Sequence, residues 1–169
     1  MTITSEQFRE ALRHFPAGVT IVTIKAPSQP QPHGLTVSAF ASISPEPPLI
    51  MVAIDHRASG HELLEEEGAV FAVNILAQDM SELSNRFAWI KDEDRFAMGK
   101  WGTAVTGAPI LQDALAWLDC TIYDRHEAGT HTIYLGHVVA SACPRAGATP
   151  LIYWNRGYRH LKAGDESTD

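Results

Sequence analysis

Cysteine is scarce in this sequence of 169 residues. The two present, Cys120 and Cys143, lie within predicted strands and form no CxxC pair, so they read as buried thiols in a reducing cytoplasm. Positive charge is short as well: 13 Lys and Arg stand against 20 Asp and Glu, a net charge of −7. Nucleic acid needs a basic stripe and an anionic membrane surface needs basic clusters, so neither is an expected partner. Long apolar runs are missing, and nothing approaches the ~20 residues of a membrane span. The first residues, MTITSE, carry no basic segment followed by an apolar one, so no secretory signal is expected and the chain reads as cytoplasmic. No GxGxxG or Walker loop is present, which excludes nucleotide binding by a Rossmann or P-loop route. The eight histidines do not compose a metal site. His61-Glu62 is followed by Leu-Leu-Glu rather than a second HExxH histidine. His131 and His137 would stand roughly 20 Å apart along a strand. His126 and His131 flank a hairpin turn with no third ligand evident.

What is present is a globular composition, 45% apolar and 20% charged. The length fits one domain over 1–169, with 1–7 and 162–169 as flexible tails and GDESTD as an acidic end. Thr4 or Ser5 caps a helix SEQFREALRHF whose stripe Phe8, Ala11, Leu12 and Phe15 would brace the fold. Val19 to Lys25 is a β-branched strand, and APSQPQPH an extended turn. Ser59 would cap a helix ending at Gly68, followed by a strand from Val70 to Leu76. Within that strand Asn74 is a polar amide that needs a partner. DMSELSNRFA forms a helix with stripe Met80, Leu83 and Phe87. Residues 90–110 read as an irregular excursion, mobile or covering a site, with a short helix near Glu93 to Met98. Leu115–Tyr123 and Thr130–Cys143 form a long hairpin, and Leu151–Leu161 one strand or two short ones.

The informative stretch is GLTVSAFASISPEPPLIMVAIDHRAS, residues 34–59. From Leu35 to Ile43 apolar and hydroxyl-bearing residues alternate, as in a half-buried strand. Prolines 45, 47 and 48 force a turn. PLIMVAI then reads as a strand buried on both faces and delivers Asp55-His56-Arg57-Ala58-Ser59 to a polar loop. An arginine and a serine ahead of a helix start suit an anion. An ordinary wet-faced hairpin with a helix cap explains the same residues. Together the elements predict an all-β barrel with helical decoration, and composition alone does not separate it from an OB-like barrel or an open sandwich.

TVSAFASIS followed by PPLIMVAID resembles the signature of the flavin reductase-like family, the FMN-binding split barrels. The likeness continues at FPAGVTIVT, FAVNILAQD, GAPILQDALAWLDCTI, GTHTIYLGHV and PLIYWNRGYRHL, covering roughly residues 8 to 161. The resemblance implies a six-stranded antiparallel Greek-key split β-barrel that forms a homodimer. It implies an NAD(P)H:flavin oxidoreductase, reducing FMN or FAD with NADH or NADPH and supplying a partner monooxygenase. A flavoprotein holding FMN as a fixed electron carrier or ferric-chelate reductase is the alternative. By resemblance Thr36, Val37, Ser38 and Ala39 would meet the flavin ring and Arg57 and Ser59 its phosphate, and Asn74, Ile75 and Leu76 match a segment that touches the flavin. His131 matches the histidine of a GDH-type motif near the nicotinamide, although the acidic position is Thr130 here. Tyr158 and Arg159 match a C-terminal pair, while Trp154-Asn155-Arg156-Gly157 departs from the usual arginine–glycine order. Met80 stands where many relatives have glutamine. Such a reaction needs binding, orientation and electrostatics from the protein rather than a catalytic triad.

Overall fold

The computed structural model describes residues 2–90 and 94–161, and these are mostly strand with few helices. Among the described residues the order begins α1 (Ser5–Leu12), β1 (Ala17–Gly18), β2 (Thr20–Ala26), β3 (Gln29–Val37), β4 (Phe40–Pro45) and β5 (Pro48–Asp55). It continues α2 (His61–Glu65), β6 (Val70–Ile75), α3 (Ser81–Trp89), a 3-10 turn (Arg95–Ala97), β7 (Trp101–Thr103) and β8 (Pro109–Leu111). It ends β9 (Ala116–Ala128), β10 (His131–Ala142), β11 (Ile152–Trp154) and β12 (Gly157–Arg159). The principal sheet is antiparallel, in the order β3-β2-β6-β9-β10-β5-β4. A small sheet joins β1, β11 and β12, and β7 pairs with β8.

The expected strand from Leu35 to Ile43 is divided. Its first part belongs to β3 on one edge of the sheet, and its second to β4 on the other. Only Ser38 and Ala39 separate the two, a link that spans at most roughly 11 Å over three Cα steps. The sheet must therefore curl until its edges approach. The Ala53 amide donates to the Ala39 carbonyl at 3.0 Å, which holds the corner against β5. Alternation could not reveal the break, because each half keeps the period of two.

The doubly buried strand is also a different one. In β5 burial alternates, with Ile50, Val52 and Ile54 inside and Met51 and Ala53 half-buried. β2 is buried on both faces. Val22 and Ile24 enter a core with Val52, Ile54, Phe71 and Tyr134, while Ile21 enters a second with Leu83, Phe87 and Leu151. Two threonines hide this in the sequence, and both are hydrogen-bonded inside. The Thr20 hydroxyl donates to the Val37 carbonyl at 2.7 Å and that of Thr23 to the Pro109 carbonyl at 2.5 Å. Asn74, fully buried, has its partners: its amide nitrogen donates to the Ile21 carbonyl at 3.1 Å, and its oxygen accepts the Leu111 amide at 2.7 Å.

Other expectations change in detail. APSQPQPH is not a long turn: Pro27-Ser28 turns the chain, and Pro30 and Pro32 then lie in β3, the sheet edge where their missing N–H costs no ladder bond. Residues 90–110 carry the 3-10 turn and the β7–β8 hairpin, whose Ala108, Ile110 and Leu111 are buried. The part of that excursion at 91–93 lies outside the described residues, as does the 162–169 tail. Residues 5–7 are helical rather than a tail. The arm of the long hairpin before Gly129 runs to Ala128, five residues beyond the expected Tyr123, and Cys143 just past β10 is exposed while Cys120 is buried. Burial first, then the Asp119 charge, pushes the Cys120 thiol up to about 12, so it is a packing residue. α1 has a full capping box between Thr4 and Gln7, yet buries nothing; Phe8, Leu12 and Phe15 are exposed. Among the described residues no helix is long and apolar enough to cross a membrane.

Candidate functional site

Four pieces of chain meet beside the β3 edge. α3 lies on β3 because Gly34 leaves room for it: a Cβ there would stand 2.7 Å from the Phe87 ring. The Thr36 hydroxyl donates to the Ser84 carbonyl at 2.6 Å and pins the same contact. The β11–β12 hairpin docks on α3 through the Tyr158 hydroxyl, 2.9 Å from Ser84 Oγ and 3.0 Å from Asn85 Oδ1. Its turn residues Asn155 and Arg156 take φ of 47° and 62°. The loop from Asp55 to Gly60 completes the wall. At Gly60 a Cβ would meet the Ile24 side chain at 2.7 Å and the His33 ring at 3.0 Å, so the glycine lets this loop pack closely over β3.

Between them lies a cavity of about 920 Å³. That is at the upper end of the several hundred to roughly 1,000 Å³ usual for small-ligand sites. Hydroxyls, aromatic rings and cations line it, among them Ser38, Ser59, Trp89, Tyr153, His33, Arg57, Arg95 and Arg156. Among the described residues no carboxylate lines it. In a chain of net charge −7 this is a local reversal of sign, and such a cleft attracts anions.

The cations differ in how they are held. Arg57 is exposed and clasps Asp55, Nε to Oδ1 at 3.1 Å and Nη2 to Oδ2 at 2.7 Å. Hydrogen bonds from the Arg57 side chain and then its amide hold the Asp55 carboxyl well below the usual range. Arg95 is half-buried and bonds to backbone carbonyls, Nε to Ile90 at 2.6 Å and Nη1 to Gly34 at 2.7 Å. Burial lowers its pKa, the signature of a desolvated cation. His33 sits beside Ser59, Nε2 to Oγ 3.0 Å; burial first, then Arg95, lowers its pKa.

Of the residues singled out from the sequence, Thr36, Ser38, Arg57, Ser59 and Tyr158 line this cavity. Val37, Ala39, Asn74, Ile75, Leu76, His131 and Arg159 do not. Val37, Asn74 and Leu76 are buried. Ser59 does not cap α2, whose N-cap is Gly60 and has no side-chain cap; the Ser59 hydroxyl faces His33 instead. The Thr36 proton is committed to Ser84. His131 pairs with Asp55 across the β10–β5 ladder, close to the Arg57 loop, and its Nδ1 lies 3.0 Å from the Thr130 hydroxyl. Arg159 turns away, donating to the Tyr158 carbonyl at 2.8 Å and lying over Trp154. Arg156, three residues earlier, lines the cavity instead. His33, Arg95 and Arg156 were not anticipated. Only Arg156 had a signal, the Asn155-Arg156-Gly157 turn between short aromatic strands.

Polar contacts tie the loop and α2 to the hairpin end. His56 Nε2 lies 3.1 Å from a Glu127 oxygen, His61 Nε2 lies 2.8 Å from Thr132 Oγ1, and the Tyr134 hydroxyl donates to Glu65. His131 and Arg57 are therefore carried on one connected unit.

Comparison with known proteins gives this geometry a context. The flavin reductase like domain matches residues 12–162. The FMN reductase (NADH) RutF of Agrobacterium fabrum is 38% identical over 165 residues, covering 95% of this chain and 92% of that one. The reductase component of the FADH(2)-dependent resorcinol hydroxylase of Rhizobium sp. strain MTP-10005 is 38% identical over 154 residues, covering 90% and 85%. The NADH:FAD oxidoreductase SgcE6 of Streptomyces globisporus, solved with NAD and FAD fragments, superposes with a TM-score of 0.86 at 29% identity, covering 96% and 98%. With the domain matched over most of its length and these identities, the chain belongs to the flavin reductase like domain family.

Proposed function

We propose that this protein is an NAD(P)H:flavin oxidoreductase, reducing FMN or FAD and supplying the reduced flavin to a partner flavin-dependent monooxygenase. The observation that carries the reading is the cation-lined cavity, with no carboxylate among its described lining residues, in an otherwise acidic chain. Its relatives named FMN reductase (NADH) and hydroxylase reductase component support the same activity and the same kind of partner. The residues fit a phosphorylated, partly flat ligand: a cavity of sufficient volume, rings at Trp89 and Tyr153, hydroxyls at Ser38 and Ser59, and cations for the anionic end.

A bound flavin supplies the hydride acceptor; the chain binds and orients it and excludes water. Thr36 and Ser38 would meet the ring, Thr36 with main-chain groups and Ser38 with its hydroxyl, while buried Val37 and the Ala39 corner hold that stretch in place, and Tyr158 would close the wall. Arg57 and Ser59 would contact the phosphate from the rim. Asn74, Ile75 and Leu76 act from behind, keeping β6 in register under β2. His131, opposite Asp55, would position the nicotinamide. Arg159 supports the hairpin that presents Arg156.

The finer architecture follows the same reading. Counting β3 and β4 as one bent strand leaves six, the number in a Greek-key split barrel, here as a single domain in the cytoplasm. The protein would be a homodimer. Exposed Phe8, Leu12 and Phe15 and the half-buried outer residues Leu49, Met51, Ile133 and Leu135 support this. The test is NADH or NADPH consumption by the purified protein with and without added FMN or FAD. Turnover that needs free flavin supports the proposal; absence of oxidation of both nicotinamides with either flavin overturns it.

A further inference from the structure

The cavity's cations are unequal, and the inequality identifies which of them reads the ligand's charge. Arg57 already has a bidentate carboxylate partner and stands in solvent, its side chain 88% exposed. A neutralised, hydrated guanidinium gains little from a second anion. Arg95 is the opposite case. Its bonds run to two backbone carbonyls, and among the described residues no carboxylate pairs with it. A guanidinium has five N–H donors; two are committed here, leaving three. A half-buried cation with no counterion among the described residues has lost part of its hydration, and an incoming anion can replace it.

The side chain is also held in place. Asp94 caps the 3-10 turn by accepting the Phe96 amide at 2.9 Å, and Phe96 packs edge-on against Phe87 and Trp101, with ring centroids 5.1 and 4.9 Å away. The carbonyls of Gly34 and Ile90 lock the guanidinium between β3 and the end of α3. Arg95 thus brings little ordering cost to a ligand contact, unlike an exposed arginine.

We infer that Arg95 carries the larger share of phosphate recognition in this cavity and sets the preference for a phosphorylated ligand over its unphosphorylated counterpart. The inference rests on the flavin reading above. Phosphate esters occur on both the flavin nucleotide and the nicotinamide dinucleotide, and the experiment separates these sources. Dissociation constants for FMN and for riboflavin are measured by flavin fluorescence for the parent, Arg95→Gln and Arg57→Gln, alongside the KM for NADH. Loss of one charge-assisted contact should lower the FMN-to-riboflavin preference about tenfold or more in Arg95→Gln. Riboflavin affinity should stay within about twofold, or about 0.4 kcal/mol. Arg57→Gln should lower the preference less. A strut role alone would instead weaken both ligands together, which overturns the inference. So does a preference that is unchanged in Arg95→Gln while the NADH KM is unchanged as well, or a preference lost equally in both variants. A loss confined to the NADH KM supports the same recognition, made on the dinucleotide. If Arg95→Gln does not fold, Arg95→Met, which keeps the apolar stem, is read by the same ratio. A parent protein that binds neither flavin defeats the flavin reading itself, an outcome distinct from all of these.

Discussion

α1 and α3 are two short amphipathic helices with opposite fates. α1 begins in a complete capping box, Thr4 with Gln7, and buries none of its residues. α3 has Met80 as its N-cap, makes no side-chain cap and buries Leu83, Ser84 and Phe87. The better-capped helix is the less packed one. Capping and stripe are local properties, set by which residues are three or four apart. Burial depends on what the stripe meets, and for α3 it meets β3, where Gly34 opens a seat for Phe87. A helix of α1's eight residues would be marginal alone. Its cap and the Asn155 amide donating to Arg13 at 3.2 Å keep its end on the cavity hairpin.

The contrast can be broken most forcefully at Phe87. Phe87→Ala should cost about 3–5 kcal/mol of unfolding free energy, as for other buried aromatic truncations. Phe8→Ala with Leu12→Ala should change it by less than about 0.5 kcal/mol in dilute protein. Urea denaturation measures both. Equal losses would show that α1 is covered as α3 is, with a second subunit the natural cover.

A smaller effect belongs to the hairpin seat on α3. Tyr158→Phe removes a hydroxyl shared by Ser84 and Asn85 and should cost about 1 kcal/mol, together with weaker flavin binding. Unchanged stability would mean that the hairpin is held elsewhere. Thr4→Ala sharpens the other side: about 1 kcal/mol should be lost at α1, seen in the exchange rates of its own amides. A comparable fall in global stability would show that α1 is part of the cooperative fold.

The smallest contrast is in pH. His33, on the cavity wall facing α3, has its pKa lowered by burial and then by Arg95. The unfolded chain takes up this proton first as pH falls, so stability is lost below the ordinary imidazole value of about 6.5 and regained above it. His33→Gln should flatten that slope between pH 7 and 5, measured by thermal unfolding; an unaltered slope would assign it to other groups.

Much of the strand order was readable, because alternation and β-branching report burial at a period of two. The Met80, Leu83 and Phe87 stripe was readable for the same reason, and all three are buried. The break at Ser38-Ala39 was not, since both halves keep the alternation while pairing at opposite edges. Nor was Arg95, which sits in a segment without periodicity and acquires its meaning from carbonyls five and 61 residues away.

The sequence by itself determined the helix and strand segments, the apolar faces and the family likeness, because each is written in neighbouring residues. Only the tertiary structure decided which faces are covered and which cations share a cavity. It also decided that Arg57 is neutralised where Arg95 is left with open donors. Those depend on desolvation and on partners brought together by folding, and an arginine in a sequence has the same charge whether or not a carboxylate will stand beside it.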